Sequence, residues 1–334
     1  MDPITQGLVG ASLPQAVASS KKHAAIAGLF GMLGGMAADL DVLIRSNTDP
    51  LLFLEYHRQF THSLIFIPFG GLLCALALYA VFAKRWRLSL FRIWLFCTLG
   101  YSTHALLDAC TSYGTQLLWP LSDERFAWNT MSVIDPLYTL PLLLLVVITA
   151  LRRSPFFARL ALAWVVAYPV FGLVQRNQAI DVGWALAQQR GHSPQRLDAK
   201  PSFGNVLLWK IVYETEDRFY IDAVRVGKTP RIYMGESVAK LNIERDFPWL
   251  DQVSQQAKDI QRFSWFSNGY VATDPDNSNI IIDVRYSLLP NEVAPLWYIE
   301  LSPDASAADH VAYRTERDFR PIQRDFFFAM LLGK

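Results

Sequence analysis

Residues 64–83, LIFIPFGGLLCALALYAVFA, form a stretch of twenty residues without a single charged side chain. The hydrocarbon core of a bilayer is about 30 Å thick, so a helix needs roughly 20 apolar residues to cross it. This stretch therefore predicts a transmembrane helix and argues against a water-soluble single domain.

Four other segments are predicted spans of the same kind: 24–44, 93–110, 133–151 and 156–174. Each carries one or two polar or charged residues, mostly near one end, and together they predict about five transmembrane helices. Residues 4–20 are also uncharged but contain Gly7, Gly10 and Pro14. That stretch is either a broken sixth span or a helix in the membrane interface, and we favour the interface.

The charged residues are distributed unevenly, with 21 in residues 1–175 and 40 in residues 176–334. From about residue 200 the pattern changes to alternating β-branched and aromatic residues, as in NVLLWKIVYE, DRFYIDAVRV, SNIIIDVRYSLL and APLWYIEL. These segments predict an antiparallel sheet, and residues 249–263 have helical spacing. We therefore expect a helical membrane bundle at 1–175, a linker at 176–200 and an α+β extramembrane domain at 201–334.

The basic residues of the short loops predict the orientation, because cytoplasmic loops are enriched in lysine and arginine. One side holds nine of them: Lys21, Lys22, Lys84, Arg85, Arg87, Arg92, Arg152, Arg153 and Arg159. The opposite loops hold Arg45, Arg58 and Arg125. With five spans, this bias places the C-terminal domain outside the cytoplasm.

The overall charge argues against one class of partner, and the spacing of the cysteines argues against a cysteine metal site. The formal net charge is +1, with no basic tract that interleaves with aromatic residues, so we expect no nucleic-acid partner. Cys74, Cys97 and Cys110 lack metal-binding spacing and are expected to be buried thiols. Membrane lipid is the partner that the composition predicts.

Seven ionisable residues of the apolar half lie toward the outer ends of the predicted spans. They are Asp39 and Asp41 after the first span, His57, Arg58 and His62 before the second, and His104 and Asp108 near the end of the third. Ionisable groups at membrane depth are costly and usually face a bundle interior or an aqueous cavity. Each is therefore a candidate functional residue.

His104 and Asp108 are four residues apart, so on a helix both side chains project from one face. A simple helix hydrogen bond would explain that pair by itself, but His57 and His62 lie on a segment that returns to the same membrane face. We therefore predict a site for a divalent metal ion, with Asp39, His57, His62, His104 and Asp108 as ligands. Imidazole and carboxylate donors suit zinc best, with manganese or iron as alternatives, and either one ion or two.

Asp39 and Asp41 flank a single leucine, and residues two apart on an α-helix point about 200° apart. Two arrangements are open. In one, Asp39 binds the metal while Asp41 holds a histidine in place. In the other, the helix ends here and both carboxylates reach the site.

Several motifs together resemble the YdjM family over roughly residues 1–175: MDPITQG, the D-x-D of GGMAADLD, HRQFTHS at 57–63, THALLD, and TSYGTQLLWPLSDERFAWNTMSVIDPLYTLPLL. Gln59 departs from the family pattern without affecting a predicted ligand. The resemblance implies a metal-dependent hydrolase of the inner membrane. The H-x-x-x-D helix is also remotely similar to zinc-dependent phospholipase C and P1 nuclease, which implies hydrolysis of a phosphoester or lipid-like substrate.

Three further residues are candidates for a catalytic role in that chemistry. Arg58 could clamp a phosphate with its fork of donors, or extend to lipid headgroups. Asp41 is the second carboxylate of the site, and Asp135 precedes Pro136, where either a helix cap or a catalytic role is possible. The alternative function is a non-enzymatic transport or envelope scaffold protein that binds a metal ion.

Overall fold

A computed structural model of the chain describes residues 1–18, 23–86 and 88–334. Lys21, Lys22 and Arg87, which enter the orientation prediction, lie outside the described residues. The chain divides into two compact units. The first contains residues 1–43, 56–173 and 203–205; the second contains 44–55, 174–202 and 206–334.

Helices make up most of the N-terminal half, and three shorter helices occur in the C-terminal half. The helices of the described residues are α1 (Pro3–Val17), α2 (Ala24–Ala37), α3 (Leu52–Tyr56), α4 (Ile67–Trp86), α5 (Leu90–Cys110), α6 (Pro136–Arg152), α7 (Pro155–Gln189), α8 (Ile243–Asp246), α9 (Gln255–Phe266) and α10 (Pro321–Leu332). Short 3-10 helices cover Ala38–Leu43, Phe60–His62 and Leu64–Phe66.

Three helical segments in the described part of the chain are long and apolar enough to cross a membrane: Ala24–Leu43, Leu64–Phe82 and Pro155–Gln189. The shorter α6 is also apolar. The predicted segment 93–110 falls within α5, which carries Arg92, His104 and Asp108 and is not among the three. Membrane-spanning helices are thus supported, whereas the predicted count of about five is not confirmed.

Close packing of α1, α2 and α5 positions the polar residues of the first unit. A Cβ atom added to Gly100 of α5 would lie 2.0 Å from the carbonyl oxygen of Gly31 in α2, and one added to Gly10 of α1 would lie 2.6 Å from the same oxygen. Small residues let helix backbones approach this closely in membrane bundles. One turn beyond this contact, α2 presents Gly35 and α5 presents His104.

The stretch 4–20, for which we favoured an interfacial helix, forms α1 up to Val17. Most of this helix is buried, including Gly7, Gly10 and Pro14. The two glycines thus allow helix packing rather than breaking the helix.

The second unit contains two antiparallel sheets. The strands are β1 (Arg196–Pro201), β2 (Leu208–Glu214), β3 (Arg218–Arg225), β4 (Arg231–Tyr233), β5 (Ser237–Ala239), β6 (Val271–Thr273), β7 (Ile280–Asp283), β8 (Trp297–Glu300) and β9 (Ala312–Thr315). One sheet has the order β1-β2-β3-β4, with β5 also paired to β3, and the other has the order β6-β7-β8-β9. The predicted antiparallel sheet region is confirmed, as two sheets instead of one.

The segment 176–200, predicted as a linker, contains the end of α7 and most of β1. Its polar residues do not stop the helix, because no proline follows Pro169 before Gln189. Helix α9 begins at Gln255, six residues after the predicted start, because the side chain of Ser254 caps it by accepting a hydrogen bond from the Ala257 amide. The predicted boundaries at 175 and 200 stay predictions.

Candidate metal centre

Four ionisable side chains of the first unit converge on one point: Asp39, His62, His104 and Asp108. Asp39 comes from the 3-10 helix after α2, His62 from the 3-10 helix before α4, and the other two from α5. The side chains of the two histidines and of Asp108 are fully buried, and that of Asp39 is 23% exposed. This is a buried His/Asp cluster that could bind a metal ion.

The two histidines face each other through their Nε2 atoms, which lie 3.0 Å apart. The Nδ1 atom of His104 lies 2.5 Å from the Gly35 carbonyl oxygen. The Nδ1 atom of His62 lies 2.9 Å from Thr61 Oγ1, whose own proton goes to Asp41 Oδ2, and 3.2 Å from that carboxylate oxygen. Carbonyl and carboxylate oxygens only accept hydrogen bonds, so both Nδ1 atoms act as donors. In neutral rings both Nε2 atoms are then bare acceptors, and a positive ion or a proton has to lie between them.

The spacing of the donor atoms matches the coordination shell of a small cation. Asp39 Oδ1 lies 3.3 Å from His104 Nε2 and 3.5 Å from His62 Nε2. Asp108 Oδ2 lies 3.3 Å from His62 Nε2 and 3.7 Å from His104 Nε2. Ligands of a tetrahedral cation with bonds of about 2.0–2.1 Å lie about 3.3–3.4 Å apart. These donor distances are close to those of a tetrahedral ligand set, and the four residues could bind one metal ion.

The two carboxylate oxygens of Asp108 have different contacts. Its Oδ1 atom accepts a hydrogen bond from Gln6 Nε2 at 2.8 Å and forms an ion pair with the amino group of Met1. Its Oδ2 atom is buried and accepts no hydrogen bond. A buried carboxylate oxygen without a hydrogen bond is costly, so this atom is well suited to be a metal ligand.

Arg58, the predicted phosphate clamp, lies directly beside Asp108. Its Nε atom is 3.1 Å from Asp108 Oδ2, its Nη1 atom donates to Thr111 Oγ1 at 3.3 Å, and its guanidinium lies over the Tyr113 ring. The backbone of Arg58 is left-handed, with φ of 68°, and the residue is buried. The structure thus places this cation where it balances the charge of Asp108, and a phosphate contact stays a prediction.

Asp41 forms the second layer of the cluster. Its Oδ1 atom lies 2.8 Å from His57 Nδ1, and its Oδ2 atom accepts hydrogen bonds from the Arg58 amide at 3.0 Å and from Thr61 Oγ1 at 2.7 Å. The α-helix ends at Ala37, so Asp39 and Asp41 reach opposite nitrogens of the His62 ring. Asp39, Asp41 and His57 form a second possible metal-binding group that shares Asp39 with the first.

The protonation of the two loop histidines follows from this arrangement. Burial alone would lower the pKa of His62, but the carboxylates of Asp108, Asp39 and Asp41 raise it to about 10. Burial lowers the pKa of His57, although its hydrogen bond to Asp41 opposes the change. The cluster is therefore built to hold positive charge at His62 Nε2, and a metal ion would replace the proton there.

Asp135, predicted as catalytic, is not a member of either metal-binding group. Its carboxylate caps α6 by accepting hydrogen bonds from the amides of Leu137 and Tyr138, and it accepts a third from the Tyr168 hydroxyl at 2.8 Å. These contacts match the capping alternative. A catalytic role for Asp135 stays a prediction.

Two residues of the site were missed from the sequence. Gln6, in the MDPITQG motif, donates to Asp108, and the carbonyl of Gly35 orients His104. Gln6 could have been found as a large polar residue in the first turns of a helix that has no charged side chains. The Gly35 carbonyl carries no side-chain signal, and only the helix packing reveals it.

The comparisons with known proteins concern mainly the membrane half. A family model described as YdjM inner membrane protein matches residues 1–179. Inner membrane protein YbcI of Escherichia coli (strain K12) is 41% identical over 108 residues, which are 31% of this chain and 60% of YbcI. Uncharacterized protein YfhP of Bacillus subtilis (strain 168) is 25% identical over 126 residues, 38% of this chain and 37% of that protein. The chain thus spans less than two thirds of either relative, and no solved structure matches it.

Proposed function

The chain belongs to the YdjM family of inner membrane proteins, and we propose that it is a metal-dependent hydrolase whose ion is held by Asp39, His62, His104 and Asp108. Its substrate is a phosphoester or a lipid-like molecule at the outer membrane face. This orientation, with the C-terminal domain outside the cytoplasm, rests on the loop charges alone. Zinc is the proposed metal because imidazole nitrogens and carboxylate oxygens are both among its ordinary ligands.

A single observation carries the proposal: His62 Nε2 and His104 Nε2 lie 3.0 Å apart while both Nδ1 atoms face oxygen acceptors. A divalent ion held by these residues would need a further coordination position, gained by expansion of its shell or by release of the partly exposed Asp39, and could then polarise a bound water or a substrate oxygen. Two carboxylates, one of them fully buried, and two oriented imidazoles supply the donor atoms for such an ion. A ligand set of this kind supports hydrolytic chemistry.

The other residues of the cluster then have distinct tasks. Asp41 keeps a proton on His62 Nδ1 and holds His57, whose side chain is 28% exposed. His57, with Nδ1 held by Asp41, can accept or deliver a proton through its other nitrogen. Arg58 balances the charge of Asp108 and brings a cation to the site, where an anionic substrate is favoured.

The experiment is metal analysis of the full-length protein purified in detergent. His104→Ala removes one donor, and we expect its metal content to fall from about one ion per chain to near zero. His192→Ala is the matched control, because His192 bonds to Tyr213 in the second unit and should leave the metal content unchanged. Equal metal content in all three proteins would refute the metal site.

Hydrolysis is tested separately with the metal-loaded protein. Bis(p-nitrophenyl) phosphate and phospholipid vesicles are suitable probes, with His57→Gln expected to retain the metal but lose activity. A protein that binds the metal but cleaves neither phosphoesters nor lipids would instead support the alternative, a non-enzymatic transport or scaffold protein.

A further inference from the structure

The segment Ile44–Glu55 connects two parts of the candidate metal centre but belongs to the second compact unit. Only two residues separate it from Asp41 on one side, and only Tyr56 separates it from His57 on the other. Any movement of this segment is therefore transmitted through the backbone to both residues. Contacts that fix this segment therefore also restrict the positions of Asp41 and His57.

A single arginine of α9 binds this segment. Arg262 Nη1 and Nη2 donate to the two carboxylate oxygens of Asp49 at 3.0 and 2.8 Å, and Arg262 Nε donates to Glu55. Two parallel bonds between a guanidinium and a carboxylate fix orientation as well as distance. Arg262 thus contacts the segment near its middle and at its end.

The guanidinium is itself held by a buried carboxylate. Arg262 Nη1 donates to Asp259 Oδ1 at 2.9 Å, and Asp259 is fully buried. Asp259 Oδ2 lies 2.8 Å from His310 Nδ1 and accepts from the Val311 amide at 3.2 Å. Because Asp259 is fixed from several directions, Arg262 has one preferred position.

Apolar contacts add to this attachment. Phe53 packs edge-to-face against Tyr313 of β9, with ring centroids 5.3 Å apart. Leu51 and Leu54 of the same segment are buried. The segment therefore packs as part of the second compact unit.

From these contacts we propose that Arg262 is a positioning residue for the metal centre, acting through Asp49 and Glu55 on the loop that carries His57 and His62. The C-terminal domain then controls the geometry of a site to which it contributes no ligand. This inference rests on the proposed metal-binding function, and two separate measurements distinguish the failure of one from the failure of the other.

The first measurement is hydrogen exchange of the peptide 56–63 in the full-length protein, without added metal. The amides of Arg58, His62 and Ser63 are hydrogen-bonded and report on this loop. Arg262→Met should speed their exchange about threefold or more, because three ion pairs to partly exposed or buried carboxylates are lost. The double variant Asp49→Asn/Glu55→Gln should produce the same change from the other side of the contact.

The second measurement is metal binding to the same proteins, with the absorption spectrum of bound Co²⁺ as a readout of ligand geometry. We expect Arg262→Met and the double variant to lower metal affinity roughly tenfold, as loss of outer supporting contacts does in other metal sites, and to alter the cobalt bands. Arg314→Met is the matched control, because Arg314 lies on β9 with its side chain 61% exposed. It should leave both quantities unchanged.

Wild-type exchange rates in both variants, with an unchanged cobalt spectrum, would overturn the positioning role while leaving the metal site intact. Faster exchange in both variants, together with a wild-type protein that binds no metal, would support the positioning of the loop by Arg262 and refute the proposed function. If Arg262→Met unfolds the C-terminal domain, the double variant decides the question, because Asp49 and Glu55 lie outside the sheets.

Discussion

Asp41→Asn is the substitution that tests the arrangement of the site most sharply, because Asp41 supports ligands without being one of the four. Its two oxygens contact His57 Nδ1, the Arg58 amide, Thr61 Oγ1 and His62 Nδ1. An asparagine replaces one of these acceptors with a donor and removes the negative charge. Either the contact of Oδ1 with His57 or the contacts of Oδ2 with Arg58, Thr61 and His62 are disrupted.

The expected loss follows from this position in the second layer. Substitutions of carboxylates that orient metal-binding histidines lower metal affinity about 10- to 100-fold, or about 1.4–2.7 kcal/mol. All four donor atoms remain in Asp41→Asn, so the loss should be smaller than in His104→Ala, which removes a ligand. The order of affinities is therefore wild type, then Asp41→Asn, then His104→Ala.

Competition against a chromophoric zinc chelator, with full-length protein in detergent, measures these affinities. Asp135→Asn is the matched control: it makes the same chemical change in the same unit, and asparagine caps a helix as well as aspartate does. It should bind zinc as the wild type does. Equal affinities for wild type and Asp41→Asn would refute the second-layer role, and a loss of zinc affinity in Asp135→Asn would show that the change to asparagine weakens binding wherever it is made in this unit.

Two further predictions concern stability. Gly100→Ala should lower the thermal unfolding temperature in detergent by several degrees, because its Cβ would lie 2.0 Å from the Gly31 carbonyl oxygen. Gly227→Ala should not, because the nearest atom to its Cβ would be Arg225 Nη1 at 3.6 Å, an ordinary contact distance. Burial lowers the pKa of Lys210 to about 7, despite nearby carboxylates, from 10.5. The unfolded chain therefore binds more protons between those values, and the free energy of unfolding of the C-terminal domain should rise from pH 7 to 10. Lys210→Met should flatten that rise in urea unfolding curves, and identical slopes would contradict the argument.

The predictable parts of the structure are those that depend on local pattern. The uncharged stretch 64–83 corresponds to a 3-10 turn and α4, and the alternating segments after residue 200 correspond to β2, β3, β7 and β8. The short strands β4, β5 and β6 have only three residues each, too few for an alternating pattern to be visible. They are recognised as strands by their pairing with β3 and β7.

The candidate site was predictable as a set of residues but not as an arrangement. The spacing of His104 and Asp108, together with the topology, predicts that the polar residues meet. The spacing does not predict that Asp39 lies beside Nε2 and Asp41 beside Nδ1 of the His62 ring. This arrangement depends on the change from α-helix to 3-10 helix after Ala37. Nor does any local pattern link Arg262 to Asp49, which lies 213 residues away.

The unequal exposure of the four proposed ligands has a kinetic consequence. His62, His104 and Asp108 are fully enclosed, and Asp39 alone of the four contacts solvent. A bound ion would therefore be closest to solvent at Asp39, and we expect its exchange to be slow even where affinity is moderate. A protein purified quickly would retain the ion acquired in the cell, and its analysis would report the metal used there, not the one most abundant in the buffer.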